Sequence, residues 1–256
     1  MGSTNYADYQ QLPLPLVAMA KDLPGGGYRS DYHCHPHRCQ LLYATSGVLR
    51  ILTQVGAWVV PPLRAVWIPN AIGHYIRSTM PVALRTAYVD PDAAPSGLRD
   101  CRVVKVSPLL RELLVAATRL EIGEQSRRAK AITLLLLDEL AGLDTEPLCL
   151  PLPNDPRLQR VCTALLDNPG RTEGLEDWAT EAGASARTLA RLFRRETGLR
   201  FVEWRQQARL AEAFVRLGQG RSVKSVAHGL GYQSVSAFAA MFRRAYGETP
   251  KSFAPR

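Results

Sequence analysis

The chain has 256 residues, of which 46% are apolar and 21% are charged, and its formal net charge is +9. These values are typical of a globular protein and exclude a disordered or fibrous chain. The most apolar run, ITLLLL at 132–137, is far shorter than the roughly 18 residues of a membrane-spanning helix, so we expect no membrane partner. The start, MGSTNYADYQ, lacks a secretion-signal pattern, and five irregularly spaced cysteines suit reduced thiols. We therefore expect a cytoplasmic protein.

The charge is distributed unevenly between the two halves of the chain. Residues 1–150 carry 15 basic and 13 acidic side chains, whereas residues 151–256 carry 17 and 10, a net charge of +7. Fifteen of those 17 basic residues are arginines. This asymmetry predicts a polyanion-binding module joined to a nearly neutral module with another role.

The first hundred residues have the pattern of short strands separated by glycine and proline. Segment 38–53 is rich in Leu, Val, Ile and Tyr, with a predicted turn at Gly47. Further strands are predicted at 58–62, 65–69, 82–89 and 101–106. Short strands of this kind favour a sandwich or a small barrel.

The pattern becomes helical at Ser107, which we expect to cap a helix that has Pro108 as its first residue. Its apolar stripe is Leu110, Leu113, Leu114 and Ala117. A second helix is predicted at about 125–143, with Ile132, Leu135, Leu136 and Leu140 on its apolar face. This antiparallel pair is more apolar than a lone hairpin needs, which suits packing against the barrel and against a second subunit. We therefore expect a homodimer.

A proline-rich stretch, EPLCLPLPNDP at 146–156, separates the two halves. Four prolines in eleven residues are incompatible with a helix or a central strand, so the stretch is the best linker in the chain. The predicted organisation is an N-terminal domain at 1–145, a linker at 146–154 and a C-terminal helical domain at 155–256.

The C-terminal half contains an internal repeat, WATEAGASARTLARLFRRETG at 178–198 and VAHGLGYQSVSAFAAMFRRAYG at 226–247. In each copy a short helix ends at a glycine, and a serine then caps a second helix. This is the pattern of a helix–turn–helix, whose second helix enters the major groove of DNA. One copy alone would fit a plain helical hairpin equally well, but two copies on a basic domain favour DNA binding. The long amphipathic helix predicted at 201–218 would hold the two recognition helices about 34 Å apart.

The stretches RTLARLFRRETG and GYQSVSAFAAMFRRAYGETP resemble the signature of the AraC/XylS transcriptional regulators. The resemblance covers about residues 155–256 and implies an all-α domain of seven helices with two helix–turn–helix motifs. By the family's pattern, the DNA-facing positions of the two recognition helices are Arg187, Ala190 and Arg191 in the first, and Val235, Ser236, Ala239 and Ala240 in the second. The expected phosphate ligands are Arg194, Arg195, Lys224, Arg243 and Arg244.

The two recognition helices are not expected to contribute equally. Arg187 and Arg191 are four residues apart on one face, and each can donate two hydrogen bonds to a guanine edge. The alternative for both is a phosphate contact or a solvated face. The second helix offers mostly small apolar side chains, so we predict that the first helix carries most of the base discrimination.

Three of the five histidines lie within HCHPHRCQ at 33–40. With Gly27 and Gly47 around it, this stretch resembles the first cupin motif, in which Gln40 replaces the usual glutamate. Residues 69–74, PNAIGH, resemble a second cupin motif in which alanine replaces a glycine. The implied fold class is α+β, a cupin-like β-barrel with a helical hairpin followed by the all-α domain.

In metal-binding cupins the matching residues hold a divalent ion, which implies His33, His35 and His74 as ligands and Gln40 as a neutral fourth. His35 and His37 form an equally good pair, so the register stays open. The alternative to a metal cofactor is that these groups line a pocket for a small-molecule effector, or only form hydrogen bonds within the core. The candidate effector-binding residues are His33, His35, Gln40, Trp58, Trp67 and His74.

Together these features predict a sequence-specific transcriptional regulator and not an enzyme. Its expected partners are double-stranded promoter DNA and a small-molecule effector. Two alternatives stay open at this point. One is a metal-dependent cupin enzyme fused to a DNA-binding domain, although the first motif offers no acidic ligand. The other is a ligand-independent repressor whose N-terminal half only dimerises.

Overall fold

The computed structural model describes residues 6–24, 27–47, 49–54, 56–60, 64–78, 81–146 and 149–253. Its internal contacts divide the chain into two compact units: the N-terminal unit contains the residues up to Thr53 and Trp58–Cys149, and the C-terminal unit contains the residues from Leu150 onwards together with Gln54–Ala57. Each unit is described by itself below.

The N-terminal unit is built from two β-sheets. Its strands are β1 (Leu16–Leu23), β2 (Tyr28–Arg29), β3 (Cys39–Ser46), β4 (Leu49–Thr53), β5 (Gly56–Val60), β6 (Arg64–Ile68), β7 (His74–Ser78), β8 (Val82–Val89), β9 (Arg102–Lys105) and β10 (Thr145–Glu146). The first sheet has the order β1–β8–β3–β6–β9–β10, and all of its pairs are antiparallel. The second sheet contains β5, β4, β7 and β2 in that order. The predicted turn between β3 and β4 is confirmed, since Gly47 has a φ of +83°.

Both faces of the first sheet are buried. Side chains alternate between the two faces along each strand, and six successive residues of β3 are all buried. On β3, Leu42 and Ala44 belong to an apolar interior that also contains Trp58 and Ile76. Leu41 and its neighbours on the other face pack beneath two helices. Two sheets around an apolar interior confirm the predicted cupin-like architecture. The predicted strand at 58–62 extends only to Val60 within the described residues, because 61–62 lie outside them.

The helix pair consists of α1 (Pro108–Ala117) and α2 (Arg127–Ala141). Ser107 caps α1 by accepting a hydrogen bond from the Leu110 N–H, as predicted. The buried residues of α1 are the four that were predicted, Leu110, Leu113, Leu114 and Ala117. On α2 the prediction for Leu135 is wrong, since this side chain is 44% exposed. It lies one residue, or about 100° of helix rotation, from the buried Leu136.

The predicted linker contains more regular structure than its prolines suggested. Glu146 pairs with Val103 as part of β10, and a short strand β11 occupies Cys149–Pro151. Proline is compatible with extended backbone where no ladder hydrogen bond is needed from its nitrogen, which explains a strand here. Pro147 and Leu148 lie outside the described residues.

The C-terminal unit is helical, as expected. Its helices are α3 (Pro156–Asp167), α4 (Leu175–Ala182), α5 (Ala186–Thr197), α6 (Phe201–Gly218), α7 (Val223–Gly229) and α8 (Val235–Tyr246), followed by a 3-10 helix at Pro250–Phe253. These seven helical segments of the described chain match the number that the family resemblance implied. Helix α6 has the predicted bounds.

Each helix–turn–helix is defined by a glycine, a serine cap and a pair of core residues. Gly183 ends α4 in the left-handed conformation, and Gly231 takes the same conformation after α7. Ser185 accepts a hydrogen bond from the Thr188 N–H at the start of α5, and Ser234 does so from the Ala237 N–H at the start of α8. The core pairs four residues apart are fully buried: Leu189 with Phe193, and Phe238 with Phe242.

Candidate functional site

Three histidine side chains meet at one place in the N-terminal unit. His33 and His74 form a β-bridge, in which each N–H donates to the other's carbonyl at 3.0 and 2.8 Å. The ring centroids of these two are 4.5 Å apart, and that of His35 lies 5.2 Å from His33 and 5.4 Å from His74. One ring nitrogen of each histidine lies within 4.8 Å of the others. The two sequence motifs are therefore brought together.

Backbone carbonyls fix the protonation of two of these rings. The Nδ1 atom of His33 lies 2.8 Å from the Asp31 oxygen, and Nδ1 of His74 lies 3.1 Å from the Ile72 oxygen. Because a carbonyl oxygen only accepts, each Nδ1 carries a proton, and in a neutral ring Nε2 then keeps a lone pair. His74 Nε2 is buried and has no hydrogen-bond partner among the described residues.

Burial also keeps the inner histidines uncharged. It lowers the pKa of His74 to about 4, with the charge of His33 acting in the same direction. The pKa of His35 is lowered to about 3, mainly by burial and in addition by the neighbouring His74 and His33. Both rings are thus neutral at pH 7, which is the form that binds a metal ion or accepts a hydrogen bond. The three residues therefore fit a divalent ion held by imidazole nitrogens.

Two glutamines contact the histidine cluster (His33, His35 and His74). The buried Gln40 lies beside His35, and its Oε1 atom has no hydrogen-bond partner among the described residues. Gln10 Nε2 lies 3.1 Å from His35 Nδ1, a contact that the sequence did not reveal because 25 residues separate the two. His37 is exposed and outside the cluster, so the structure favours the register with His33 and His35.

The loop that precedes His74 holds a strained residue. Ala71, which replaces a glycine of the cupin motif, has a φ of +62° and is the one non-glycine residue of the described chain with a positive φ. Its N–H donates to the His35 carbonyl at 2.8 Å. The strain is therefore located where the loop is bonded to the histidine segment.

Ala71→Gly is expected to stabilise the protein. The left-handed conformation disfavours alanine by about 1–2 kcal/mol, and the added freedom of glycine in the unfolded chain offsets about 0.4–1 kcal/mol of the gain. A net increase of about 0.5–1 kcal/mol in the free energy of unfolding should be seen in urea denaturation. Ala83→Gly in strand β8 is the matched control and should destabilise; the prediction fails if Ala71→Gly does the same.

The two candidate tryptophans lie in different places. Trp58 is buried in the apolar interior between the sheets. Trp67 differs from our expectation, because it lies on the other face of the first sheet, beneath α1 and α2, and donates a hydrogen bond to the Leu98 carbonyl. The structure thus does not bring Trp67 to the interior of the barrel.

The arginines of the C-terminal unit fall into two groups. One group is bonded to the protein itself: Arg205 and Arg209, for example, donate to backbone carbonyls. The other group includes Arg187 and Arg191, which are exposed on α5 and have no ion pair or hydrogen bond with any described residue. These two side chains lie one turn apart and are available to an external ligand.

The remaining predicted DNA contacts vary in accessibility. Arg194, Ser236, Ala240, Arg243 and Arg244 are exposed, whereas Ala190, Val235 and Ala239 are half-buried. Arg195 is exposed but forms an ion pair with Glu196 at 2.7 Å. Because the Arg195 side chain is more than half exposed, water screens this pair and leaves Arg195 able to exchange partners.

The chain joins a β-sheet unit that contains a histidine cluster to a unit with two capped helix–turn–helix motifs. This combination defines the class of one-component DNA-binding regulators. A family model described as an AraC-like ligand binding domain matches residues 20–177, and one described as a helix-turn-helix domain matches residues 178–256. The HTH-type transcriptional regulator NimR of Escherichia coli (strain K12) is 35% identical over 224 residues, which cover 87% of this chain and 82% of NimR. The chain belongs to the AraC family and is a transcriptional regulator, not an enzyme.

Other similarities are narrower or more distant. The HTH-type transcriptional regulator RipA of Corynebacterium glutamicum is 38% identical over 103 residues, which cover 40% of this chain and 31% of RipA. A solved structure of ToxT from Vibrio cholerae covers 94% of this chain and 98% of its own, with 11% identity and a TM-score of 0.39, a likeness too distant to carry any conclusion. None of the helices in the described part of the chain has the length and apolarity to cross a membrane.

Proposed function

We propose that this regulator distinguishes promoters chiefly through α5, while α8 mainly positions the domain on DNA. The observation that carries the proposal is the pair Arg187 and Arg191, exposed near the start of α5 and without a protein partner among the described residues. Recognition helices contact bases with residues of their N-terminal part. Of the predicted base-facing positions of α8, Ser236 and Ala240 are exposed, and neither offers a side chain that forms two hydrogen bonds with a base.

Selection of bound DNA from a random library by the full-length protein tests this proposal. We expect one enriched operator with two half-sites, in which the more strongly constrained half contains guanines for Arg187 and Arg191. The proposed phosphate ligands are Arg194, Arg195, Arg243 and Arg244. Replacement of any one of them should weaken binding to all DNA sequences alike, and should reduce the slope of log affinity against log salt concentration by about one. A library without any enriched motif would contradict the proposal.

For the N-terminal unit we propose an effector site at the histidine cluster, with Gln40 beside it and Trp58 in the adjoining interior. The proposed domain organisation remains an effector and dimerisation domain at about 1–145 and a DNA-binding domain at about 155–256. Because its target is chromosomal DNA, we propose that the protein acts in the cytoplasm.

A second candidate for the same cluster is a divalent metal ion held by His33, His35 and His74. The buried Nε2 of His74, which has no hydrogen-bond partner among the described residues, favours it. When bound, such an ion supplies a positive centre with an open position for an oxygen or nitrogen donor. Three neutral imidazoles suit zinc, nickel or iron, and the absence of a carboxylate from the described cluster lowers its affinity for any divalent ion.

Metal analysis of untagged protein distinguishes the two candidates. The metal candidate requires close to one zinc, nickel or iron per chain after purification, and loss of that metal in His74→Ala. His37→Ala is the matched control, because His37 is exposed and outside the cluster, and it should keep the metal. Protein that is free of metal in both forms would leave the cluster as an effector site alone.

The homodimer is proposed to form through α2. Leu134 on this helix is 70% exposed and borders an apolar groove of about 340 Å³ between β1 and the helix pair. We expect Leu134→Asp to weaken dimerisation at least tenfold, because burial of a leucine contributes about 1.5–3 kcal/mol. Val202→Asp is the control, since Val202 is 60% exposed but lies in the C-terminal unit. Analytical ultracentrifugation in which Leu134→Asp remains as dimeric as the control would contradict the α2 interface.

A further inference from the structure

The two helix–turn–helix motifs have separate apolar cores that share one helix. Trp204 and Ala208 of α6 belong to the first core, and Phe214 and Leu217 of the same helix belong to the second. A single helix of 18 residues can bend and twist between its two ends. A fixed geometry between the recognition helices therefore requires a further contact between the motifs.

Such a contact exists between the loop that precedes α4 and the end of α7. A Cβ atom added to Gly170 would lie 2.6 Å from the Gly229 carbonyl oxygen. A Cβ atom added to Gly231 would lie 2.7 Å from the Gly170 carbonyl oxygen. Because real Cβ atoms do not approach backbone oxygens this closely, the two segments touch only where both lack side chains.

Arg209 lies at the same contact and reaches both motifs. From the middle of α6, its Nε donates to the Pro169 carbonyl at 2.9 Å and its Nη2 donates to the Arg171 carbonyl at 2.7 Å. Its guanidinium lies 5.6 Å from the centre of the Tyr232 ring, in the turn between α7 and α8. One half-buried side chain thus joins the loop of the first motif to the turn of the second.

Arg205, one turn earlier on α6, provides a matched comparison. It also donates to carbonyls of the same loop, at 3.3 Å to Thr172 and 2.8 Å to Glu173. Its guanidinium lies 4.9 Å from the centre of the Phe201 ring. These hydrogen-bond and ring partners belong to the first motif, and only the charge of Arg205 acts on Tyr232 of the second.

We infer that Arg209 and the Gly170–Gly229 contact fix the separation and relative angle of α5 and α8, and thereby set the spacing that the protein requires between two operator half-sites. Arg209 is thus a positioning residue, since it acts through the helices and touches no base. The inference rests on the proposed function, in which both helices dock on one duplex. One base pair shifts a half-site by about 3.4 Å and about 35°, which a locked pair of helices cannot follow.

The test uses the operator selected by the full-length protein and two derivatives with one base pair inserted or removed between the half-sites. Fluorescence anisotropy gives the dissociation constant for each. We expect the unaltered protein to bind the derivatives about tenfold more weakly, because one half-site is then misplaced. Arg209→Ala should reduce this penalty to about twofold while keeping the base preference of each half-site. Arg205→Ala should retain the tenfold penalty.

Gly170→Ala provides a second route to the same result. Gly170 does not have a positive φ, so alanine disturbs only the contact with Gly229 and should relax the spacing requirement as Arg209→Ala does. Equal losses of affinity for all three DNAs in both variants, or relaxation by Arg205→Ala as well, would overturn the inference. If Arg209→Ala does not fold, Gly170→Ala decides alone. Failure of the unaltered protein to select an operator would instead overturn the proposed function, before any variant is measured.

Discussion

Arg191→Ala is expected to remove the preference for one base pair of the operator and to leave the other positions unchanged. An arginine that donates two hydrogen bonds to a guanine discriminates against other bases by about 1–3 kcal/mol, or about 5–150-fold in affinity. Because Arg191 is exposed and bonds to no described residue, its removal should not alter the stability of the C-terminal unit. Competition binding with all four base pairs at each operator position measures the effect.

Arg194→Ala is the matched control for this experiment. It removes the same charge from the same helix, at a position three residues further along that is expected to contact phosphate. We expect a uniform loss across all sequences and a lower salt dependence. If Arg191→Ala gives the same uniform loss, Arg191 is only a phosphate ligand and base discrimination must come from elsewhere. Arg191→Lys should keep part of the guanine preference, because an ammonium group also donates to O6 and N7 but lacks the fixed fork of the guanidinium.

Acidification is expected to destabilise the metal-free N-terminal unit. An unfolded histidine takes up a proton below its ordinary pKa of 6.5, whereas the folded pKa is about 4 for His74 and about 3 for His35. Below pH 6.5 the unfolded chain therefore binds more protons than the folded one. The contribution of the two neutral histidines to stability is fully present above that pH and is lost as the pH falls towards 4. Each of the two histidines should lower the free energy of unfolding by about 2 kcal/mol between pH 7 and pH 5.

Urea denaturation at the two pH values measures this loss. In a background with Trp178→Phe and Trp204→Phe, fluorescence reports on Trp58 and Trp67, which both lie in the N-terminal unit. His74→Gln should remove about half of the acid sensitivity, whereas His37→Gln should keep all of it. Stability that is unchanged between pH 7 and pH 5, or that increases on acidification, would show that the cluster is not buried in solution as described.

The parts of the fold that depend on local interactions were predictable from sequence. Ser107, Ser185 and Ser234 cap their helices as expected, because a cap requires only its own residue and the next three. The repeat identified both helix–turn–helix motifs, because the glycine, the serine cap and the core pair of each motif lie close together in the sequence. Strands β1 and β7 were not predicted as strands, since β7 carries His74 and Ser78 on its buried face and so lacks an apolar alternation.

The features that depend on distant contacts were less accessible. The alternation of side chains along β6 shows that Trp67 and its neighbours in sequence point to opposite faces of the first sheet. Because both faces are buried, the sequence pattern does not reveal which face lies inside the barrel. The contact of Gln10 with His35 follows no local pattern. The proximity of His33, His35 and His74 was predictable only through the spacing of the two cupin motifs.

The separation of the arginines into two groups has a consequence for how promoter preference evolves. Arg187 and Arg191 bond to no described residue, whereas Leu189 and Phe193, between and beyond them on the same helix, hold the core together. Mutation can therefore change the outward residues of α5 one at a time without unfolding the helix that presents them. Related regulators with the same scaffold can thereby acquire new target genes while keeping their stability.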